Sequence, residues 1–252
     1  MSTVGRRLLL AEVVLVLALS LGRSAVYAVV NLLEAVTAPG ALGDQQAVLN
    51  GSLAPGRVWF DLVFQLLSIG FGVVPVLLVA YLMARSEDDP RAMWSRGADE
   101  HRRDLVRGLG VAAVVGSTGL AFYLVTYVLG VNLTVVAQDL PSVWWRYPVL
   151  VLSAVQNALL EEVVMIGYLL TRLRQLGWSE NRALGAQALL RGAYHLYQGL
   201  GGFLGNVAMG LVFGRLWQRY NRLWVMVGAH TLIDVVAFLG YAALRGRVGW
   251  LP

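Results

Sequence analysis

Long apolar runs are the feature that most constrains this chain of 252 residues. Several approach or exceed the length of about 20 residues that an α-helix needs to cross a bilayer, and they lack the polar face of a soluble helix. The sequence therefore predicts an all-α, polytopic membrane helical bundle with about seven or eight transmembrane helices, in a single domain over residues 1–252. The apolar runs lie at about 8–36, 58–84, 105–129, 147–170, 183–200, 203–217 and 223–244.

The distribution of arginine predicts an orientation in the membrane. The chain has no lysine, so its net charge of +5 comes from arginine, and short cytoplasmic loops hold the excess of basic residues. Arginines gather at the N-terminus and in the second, fourth and sixth loops, which predicts a cytoplasmic N-terminus. Arg245 and Arg247 break this pattern. An eighth, re-entrant or miscounted segment would explain them, so the side of the C-terminus stays open.

Residue types that are absent exclude several function classes. The chain has no cysteine, which excludes a disulfide framework, a thiolate nucleophile and a thiolate metal site. It has no serine nucleophile elbow, no HExxH and no complete glycine-rich phosphate loop. Its arginines lie in separate short loops rather than along one stripe. We therefore expect neither nucleic acid nor a nucleotide as a partner.

Titratable residues inside the later apolar runs are the candidates for chemistry. Glu161 and Glu162 are adjacent, His195 lies in the next run, and His230 precedes Asp234 by four residues. A charge at the centre of a bilayer costs about 3 kcal/mol, so such residues usually have a function. Adjacent helical residues point about 100° apart, so we expect one glutamate to face a cavity and the other to support it. His230 and Asp234 share a helical face.

Three strings carry these residues in order: EEVVMIGYLLTRL from Glu161, RGAYHLYQG around His195, and AHTLID with His230 and Asp234. Together they resemble the motifs of the CAAX prenyl protease and bacteriocin-processing group (CPBP), the Abi family of intramembrane proteases. The resemblance covers about residues 149–243. It implies a motif-bearing catalytic core at about 146–244, supported by N-terminal helices over 8–129.

The resemblance implies an intramembrane endopeptidase that cleaves a membrane-associated protein or peptide. It implies that Glu161 and His195 activate water, and that His230 and its partner stabilise the tetrahedral intermediate. Asp234 stands where the best-known prenyl proteases have asparagine, so we expect it to orient His230 or to help hold a metal. The catalytic candidates are Glu161, Glu162, His195, His230 and Asp234. A divalent metal such as zinc, held by Glu161, His195 and His230, and a metal-free site both remain open.

Two positions depart from the family pattern. Ile166 stands where an arginine is expected, and Arg191 stands where a phenylalanine is expected. Because Arg191 shares a helical face with His195, we hypothesise that Arg191 supplies the missing cation to the non-catalytic glutamate. Asn206, on the sixth predicted span, is a second candidate for a supporting role.

Two other functions fit the same residues. One is a catalytically silent family member that binds a peptide or acts in bacteriocin immunity. The other is a proton-coupled transporter, in which intramembrane acids and histidines are also expected. All three interpretations place the chain in the lipid bilayer as an integral membrane protein. With the resemblance, we expect a prokaryotic cell membrane.

Overall fold

Helices make up most of residues 2–85 and 98–248, which the computed structural model describes. The α-helices are α1 Thr3–Ala18, α2 Leu21–Thr37, α3 Val58–Arg85, α4 Ala98–Val128, α5 Arg146–Glu161, α6 Leu170–Gln175, α7 Glu180–Ala193, α8 Leu200–Tyr220 and α9 Leu223–Leu244. A π-helical segment, Glu162–Leu169, joins α5 to α6. Two short 3₁₀ turns, Leu42–Asp44 and Leu196–Gln198, and two short strands, β1 Gln46–Val48 and β2 Thr134–Val136, complete the described elements. The predicted all-α bundle is confirmed.

The number of helices that can span a membrane is smaller than predicted. Among the described residues, five helical stretches are long and apolar enough, and a sixth is obtained if α1 and α2, bent by 52° at their junction, form one span. The predicted run at 183–200 is where the difference arises. Its helix, α7, has only 14 residues and includes Gln187 and Arg191. The predicted count of seven or eight spans is therefore not confirmed. The five stretches are Val58–Arg85, Arg102–Val128, Arg146–Gln175, Leu200–Tyr220 and Leu223–Leu244.

Ion pairs gather several helix termini at one end of the bundle, which we call the arginine end. Arg222, just before α9, donates to Asp104 at the start of α4 with an Nη1–Oδ1 distance of 2.9 Å. Arg172 in α6 donates to Glu12 of α1 at 3.0 Å and to the carbonyl of Leu82 in α3 at 3.2 Å. The last turns of α3 and α6 thus lie at the same end as the first turn of α4. Two arginines of the second predicted loop, Arg91 and Arg96, lie outside the described residues.

The opposite end carries a cap, which we define as residues 38–57 and 129–145. Within it β1 and β2 pair in parallel, with Ala47 opposite Val135. Arg245, just after α9, donates to Asp139 of the cap at 2.8 Å. The N-terminus of α3 is tied to the cap as well, because Asp61 accepts hydrogen bonds from the Ser52 hydroxyl and the Leu53 amide, each at 2.8 Å. Asp61 therefore anchors the cap to α3.

Short α7 still carries the chain from one end to the other. At its start, the Gln218 side chain of α8 donates to the Glu180 carbonyl at 2.9 Å. Beyond its end, the Leu133 amide of the cap donates to the Gln198 carbonyl at 3.2 Å. The described chain thus passes between the ends once in α1 with α2, once each in α3 and α4, once from α5 through α6, and once each in α7, α8 and α9. That makes seven passes, and Arg245 lies at the cap end.

Two glycines in α8 allow α7 to pack closely against it. A Cβ atom on Gly210 would lie 3.0 Å from the Cα of Ala188 and 3.1 Å from the Cδ of Arg191. A Cβ atom on Gly214 would lie 2.5 Å from a methyl group of Leu184. Small residues four apart permit such close backbone contact between membrane helices. This contact fixes where Arg191 enters the bundle.

This arrangement predicts which residues share a side of the membrane. The chain has no cysteine, so a thiol reagent labels only a cysteine introduced by substitution. Single cysteines are placed at four exposed positions: Arg7, Leu53, Arg219 and Arg247. We expect a membrane-impermeant maleimide, applied to intact cells, to label the cysteines at 53 and 247 alike and to leave those at 7 and 219 unlabelled until the membrane is permeabilised. Labelling at 247 together with 219 would contradict the seven passes.

Candidate active site

Glu161 and Glu162 lie where α5 changes into the π-helical segment. Such segments inside α-helices occur often at functional sites. The Glu162 side chain is fully buried, whereas 12% of the Glu161 side chain is exposed. The two adjacent carboxylates thus face different surroundings, as expected from their angular separation. Only Glu161 is open to a substrate.

Arg191 of α7 is buried between both glutamates. Its Nη2 atom lies 2.8 Å from Glu162 Oε1 and 3.1 Å from Glu161 Oε2. The guanidinium also lies over the ring of Phe213, at 5.6 Å from its centroid. The hypothesis that Arg191 pairs with the supporting glutamate agrees with this geometry, and the pairing extends to Glu161. Ile166 is fully buried.

His230 of α9 completes the buried cluster. Its Nδ1 atom lies 2.7 Å from Glu162 Oε1, and its Nε2 atom lies 3.6 Å from Asp234 Oδ1. The imidazole is therefore held between two carboxylates, one from the junction after α5 and one from its own helix. This is the orienting position expected for Asp234.

His195 lies just after α7, on the exposed side of Glu161. A carbonyl oxygen only accepts, so the Nδ1 atom of His195 donates to the Arg191 carbonyl, at 3.0 Å. That bond turns Nε2 toward Glu161, whose Oε1 atom is 3.9 Å away. The two side chains face each other at a distance that a single water molecule can bridge.

Tyr194 is a site residue that the motif analysis did not single out. Its hydroxyl donates to Glu161 Oε2 at 2.9 Å, and its ring lies 4.7 Å from that of His195, centroid to centroid. The only signal in the sequence is its position directly before His195. Sequence spacing does not reveal that a neighbouring residue reaches the glutamate of another helix.

Asn206, the other predicted supporting residue, is not brought to this cluster by the described contacts. Its side chain donates to the carbonyl of Gly202, one turn earlier in the same helix, at 3.0 Å. The supporting role of Asn206 stays a prediction.

The residues near the glutamates were tested for their fit to a metal ion. The group close enough to hold one is Glu161, Glu162 and His230, whose nearest ligand atoms lie within 4.8 Å of one another. This group differs from the predicted set, because it contains Glu162 in place of His195.

The guanidinium of Arg191 lies beside these potential metal ligands. Its Nη2 atom lies 3.3 Å from His230 Nδ1, and it is also within hydrogen-bonding distance of both carboxylates. A zinc ion would need these ligands at about 2.0–2.2 Å, in the space beside a permanent positive charge. With Arg191 in this position, Glu161, Glu162 and His230 do not fit a resident metal ion through these atoms. The predicted set of Glu161, His195 and His230 stays a prediction.

Comparison with known families bears on the same segment. Residues 142–236 match the family model described as type II CAAX prenyl endopeptidase Rce1-like. Over these residues the chain is similar to that family. The match confirms the resemblance drawn from the three strings, and the Rce1-like segment contains every residue of the cluster. No curated protein and no solved structure gives a significant match.

The buried ion pair leads to a prediction about stability. Replacing Arg191 by Met leaves Glu162 charged and unpaired in the bundle, which we expect to cost about 3–5 kcal/mol. Adding Glu162→Gln to Arg191→Met removes that charge, so we expect the double variant to unfold at a higher temperature than Arg191→Met alone. Thermal unfolding in detergent measures both. Equal or lower stability of the double variant would show that the unpaired carboxylate is not what destabilises Arg191→Met.

Proposed function

We propose that this protein is an intramembrane endopeptidase that hydrolyses a peptide bond of a membrane-associated protein or peptide. The observation that supports it best is the meeting of Glu161, His195 and His230, from three separate segments, around one partly exposed carboxylate. The Rce1-like match over the same segment supports the same reaction class. In this proposal the protein is an integral component of a prokaryotic cell membrane, with its arginine end in the cytoplasm.

Glu161 and His195 activate the water in this mechanism. Because Nδ1 of His195 carries its proton, Nε2 of the neutral ring accepts one. A water molecule that donates to both Glu161 Oε1 and His195 Nε2 presents its lone pair to a substrate carbonyl. One of the two groups takes the proton as the C–O bond forms and later delivers it to the leaving amine. General base catalysis of this kind contributes roughly 10²–10⁴-fold to a rate.

His230 and Tyr194 complete the chemistry. His230 is held by Glu162 and Asp234, and we assign its Nε2–H to the oxyanion of the tetrahedral intermediate. Tyr194 donates to the Glu161 oxygen that faces away from His195, which leaves Oε1 for the water. Arg191 offsets part of the charge of the two carboxylates from the buried side. Positive charge is thus supplied by a side chain, and the proposed reaction proceeds without a metal.

A substitution at Glu161 tests the catalytic proposal. We expect Glu161→Gln to lose at least about 10²-fold of the cleavage rate while it keeps its unfolding temperature, because the amide cannot take a proton from water. The control is Glu180→Gln, an exposed glutamate of α7 paired only loosely with Arg174 at 3.6 Å, which should cleave normally. The assay is mass spectrometry of lipid-anchored peptides incubated with protein in proteoliposomes. Peptide binding without cleavage by the wild type would favour the silent family member.

The metal-free assignment is tested separately. We expect purified wild-type protein to contain substoichiometric zinc by plasma mass spectrometry, and cleavage to be unaffected by 1,10-phenanthroline. Arg191→Ala removes the cation from the group of potential ligands, so it should retain more zinc than the wild type after the same dialysis. One tightly held zinc per wild-type chain, whose removal abolishes cleavage, would overturn the assignment.

A further inference from the structure

A cavity of about 370 Å³ lies beside the candidate active site, between α2 and α3. This volume is in the range of ordinary ligand pockets. Leu160, Tyr194 and Tyr197 form its inner wall, and Arg23, Tyr27 and Asn31 of α2 lie among the residues of its outer wall. The Tyr194 hydroxyl donates to Glu161 at 2.9 Å and Leu160 directly precedes Glu161, so the inner wall of the cavity adjoins the catalytic carboxylate.

Arg23 is the unusual member of this wall. Its side chain is exposed, and the ion pairs of the described residues include none that involves it. Its guanidinium lies over the Tyr27 ring, at 5.4 Å from the centroid. An arginine at the lipid-facing surface of a span is costly unless it has an anionic partner or reaches the membrane surface.

The depth of Arg23 argues against the membrane surface as its partner. The cavity that it lines is also lined by Leu160, which lies near the middle of the candidate span Arg146–Gln175. The middle of a bilayer is about 15 Å from the headgroups, since the hydrocarbon core is about 30 Å thick. At the level of Leu160 the lipid phosphates are therefore about 15 Å away, so an anion that enters the cavity is the partner within reach of Arg23.

From these observations we infer that Arg23 binds a carboxylate of the peptide substrate inside the cavity. The inference rests on the proposed function and adds a specificity-determining residue to it. Arg23 lies outside the Rce1-like segment at 142–236, so the family match does not assign it. A guanidinium binds a carboxylate through two parallel hydrogen bonds, and Asn31 on the same wall offers an amide donor. The carboxylate belongs to a peptide C-terminus or to an acidic side chain, and both sources share this chemistry.

Three pools of lipid-anchored random hexapeptides separate those sources. The first pool has free C-terminal carboxylates and no acidic residues, the second has C-terminal amides and no acidic residues, and the third has amides with one fixed glutamate. Binding is measured by fluorescence anisotropy on Glu161→Gln protein in nanodiscs, where no cleavage occurs. Adding Arg23→Gln should weaken binding of the first or the third pool by about 10–100-fold, as for the loss of a charged hydrogen-bonded pair. Binding of the second pool should not change.

Matched variants exclude a general effect of losing an arginine. Arg57→Gln removes another exposed arginine, which lies over an aromatic ring at the cap, 4.6 Å from the centroid of Phe60, and should leave all three pools unaffected. Arg23→Lys should retain part of the affinity, because it keeps the charge and loses the paired geometry.

The outcomes distinguish the inference from the proposed function. If Arg23→Gln binds all three pools as tightly as its parent, the inference is wrong, even where the wild type cleaves peptides. If binding depends on Arg23 while the wild type cleaves none of the pools, the inference stands and the protease proposal fails.

Discussion

The buried guanidinium of Arg191 is the interaction on which the arrangement of the site depends. It donates to two carboxylates of the α5 to π-helical junction, and one of these, Glu162, also accepts from the imidazole of His230 in α9, so that three segments distant in sequence are joined. Each buried ion costs several kcal/mol in lost hydration, and only its partners offset that cost. Displacing any one of the three segments would leave a charge unpaired. The electrostatics therefore select a single relative position for the helices that carry the candidate catalytic residues.

Packing and charge are coupled at this point. Arg191 reaches the cluster only because Gly210 lets α7 approach α8 closely. The cluster is nevertheless not fully satisfied: within the described part of the chain, Glu162 Oε2 and the Nε and Nη1 atoms of Arg191 have no hydrogen-bond partner. Proteins rarely leave buried polar atoms unpaired, and the exceptions call for an explanation. Here the three atoms belong to one buried ion pair, in which Nη2 of Arg191 lies 2.8 Å from Glu162 Oε1. The geometry that holds several charges together leaves the remaining atoms of the pair without partners.

The sequence indicated which titratable residues belong to the candidate site more reliably than it indicated which of their side chains contact each other. Apolar runs located the helices, and a charge argument paired Arg191 with a glutamate, since one cation was missing at Ile166 and another had appeared. Helical spacing could not show that Tyr194 reaches Glu161 or that Glu162, rather than His195, joins His230, because those distances depend on how separate helices pack. The apolar run at 183–200 predicted a full-length span, whereas the structure has the short helix α7 there. The hydropathy of a run does not show where its helix ends or that the helix packs against glycines of a neighbouring helix.

In the proposed function, catalysis and selection of the peptide are divided between two parts of the chain. Every residue that we assign to the chemistry lies within the Rce1-like segment, whereas Arg23 and the α2 wall of the cavity come from the helices before it. Hydrolysis requires water at Glu161, which is exposed on one side, while the buried side keeps Glu162 and Arg191 dry. The wall opposite Glu161 is free to vary without disturbing that charge balance. If the protein is the proposed protease, substitutions in α2 and α3 alone can change the peptides it accepts, because those helices contribute none of the buried ions that hold the site together.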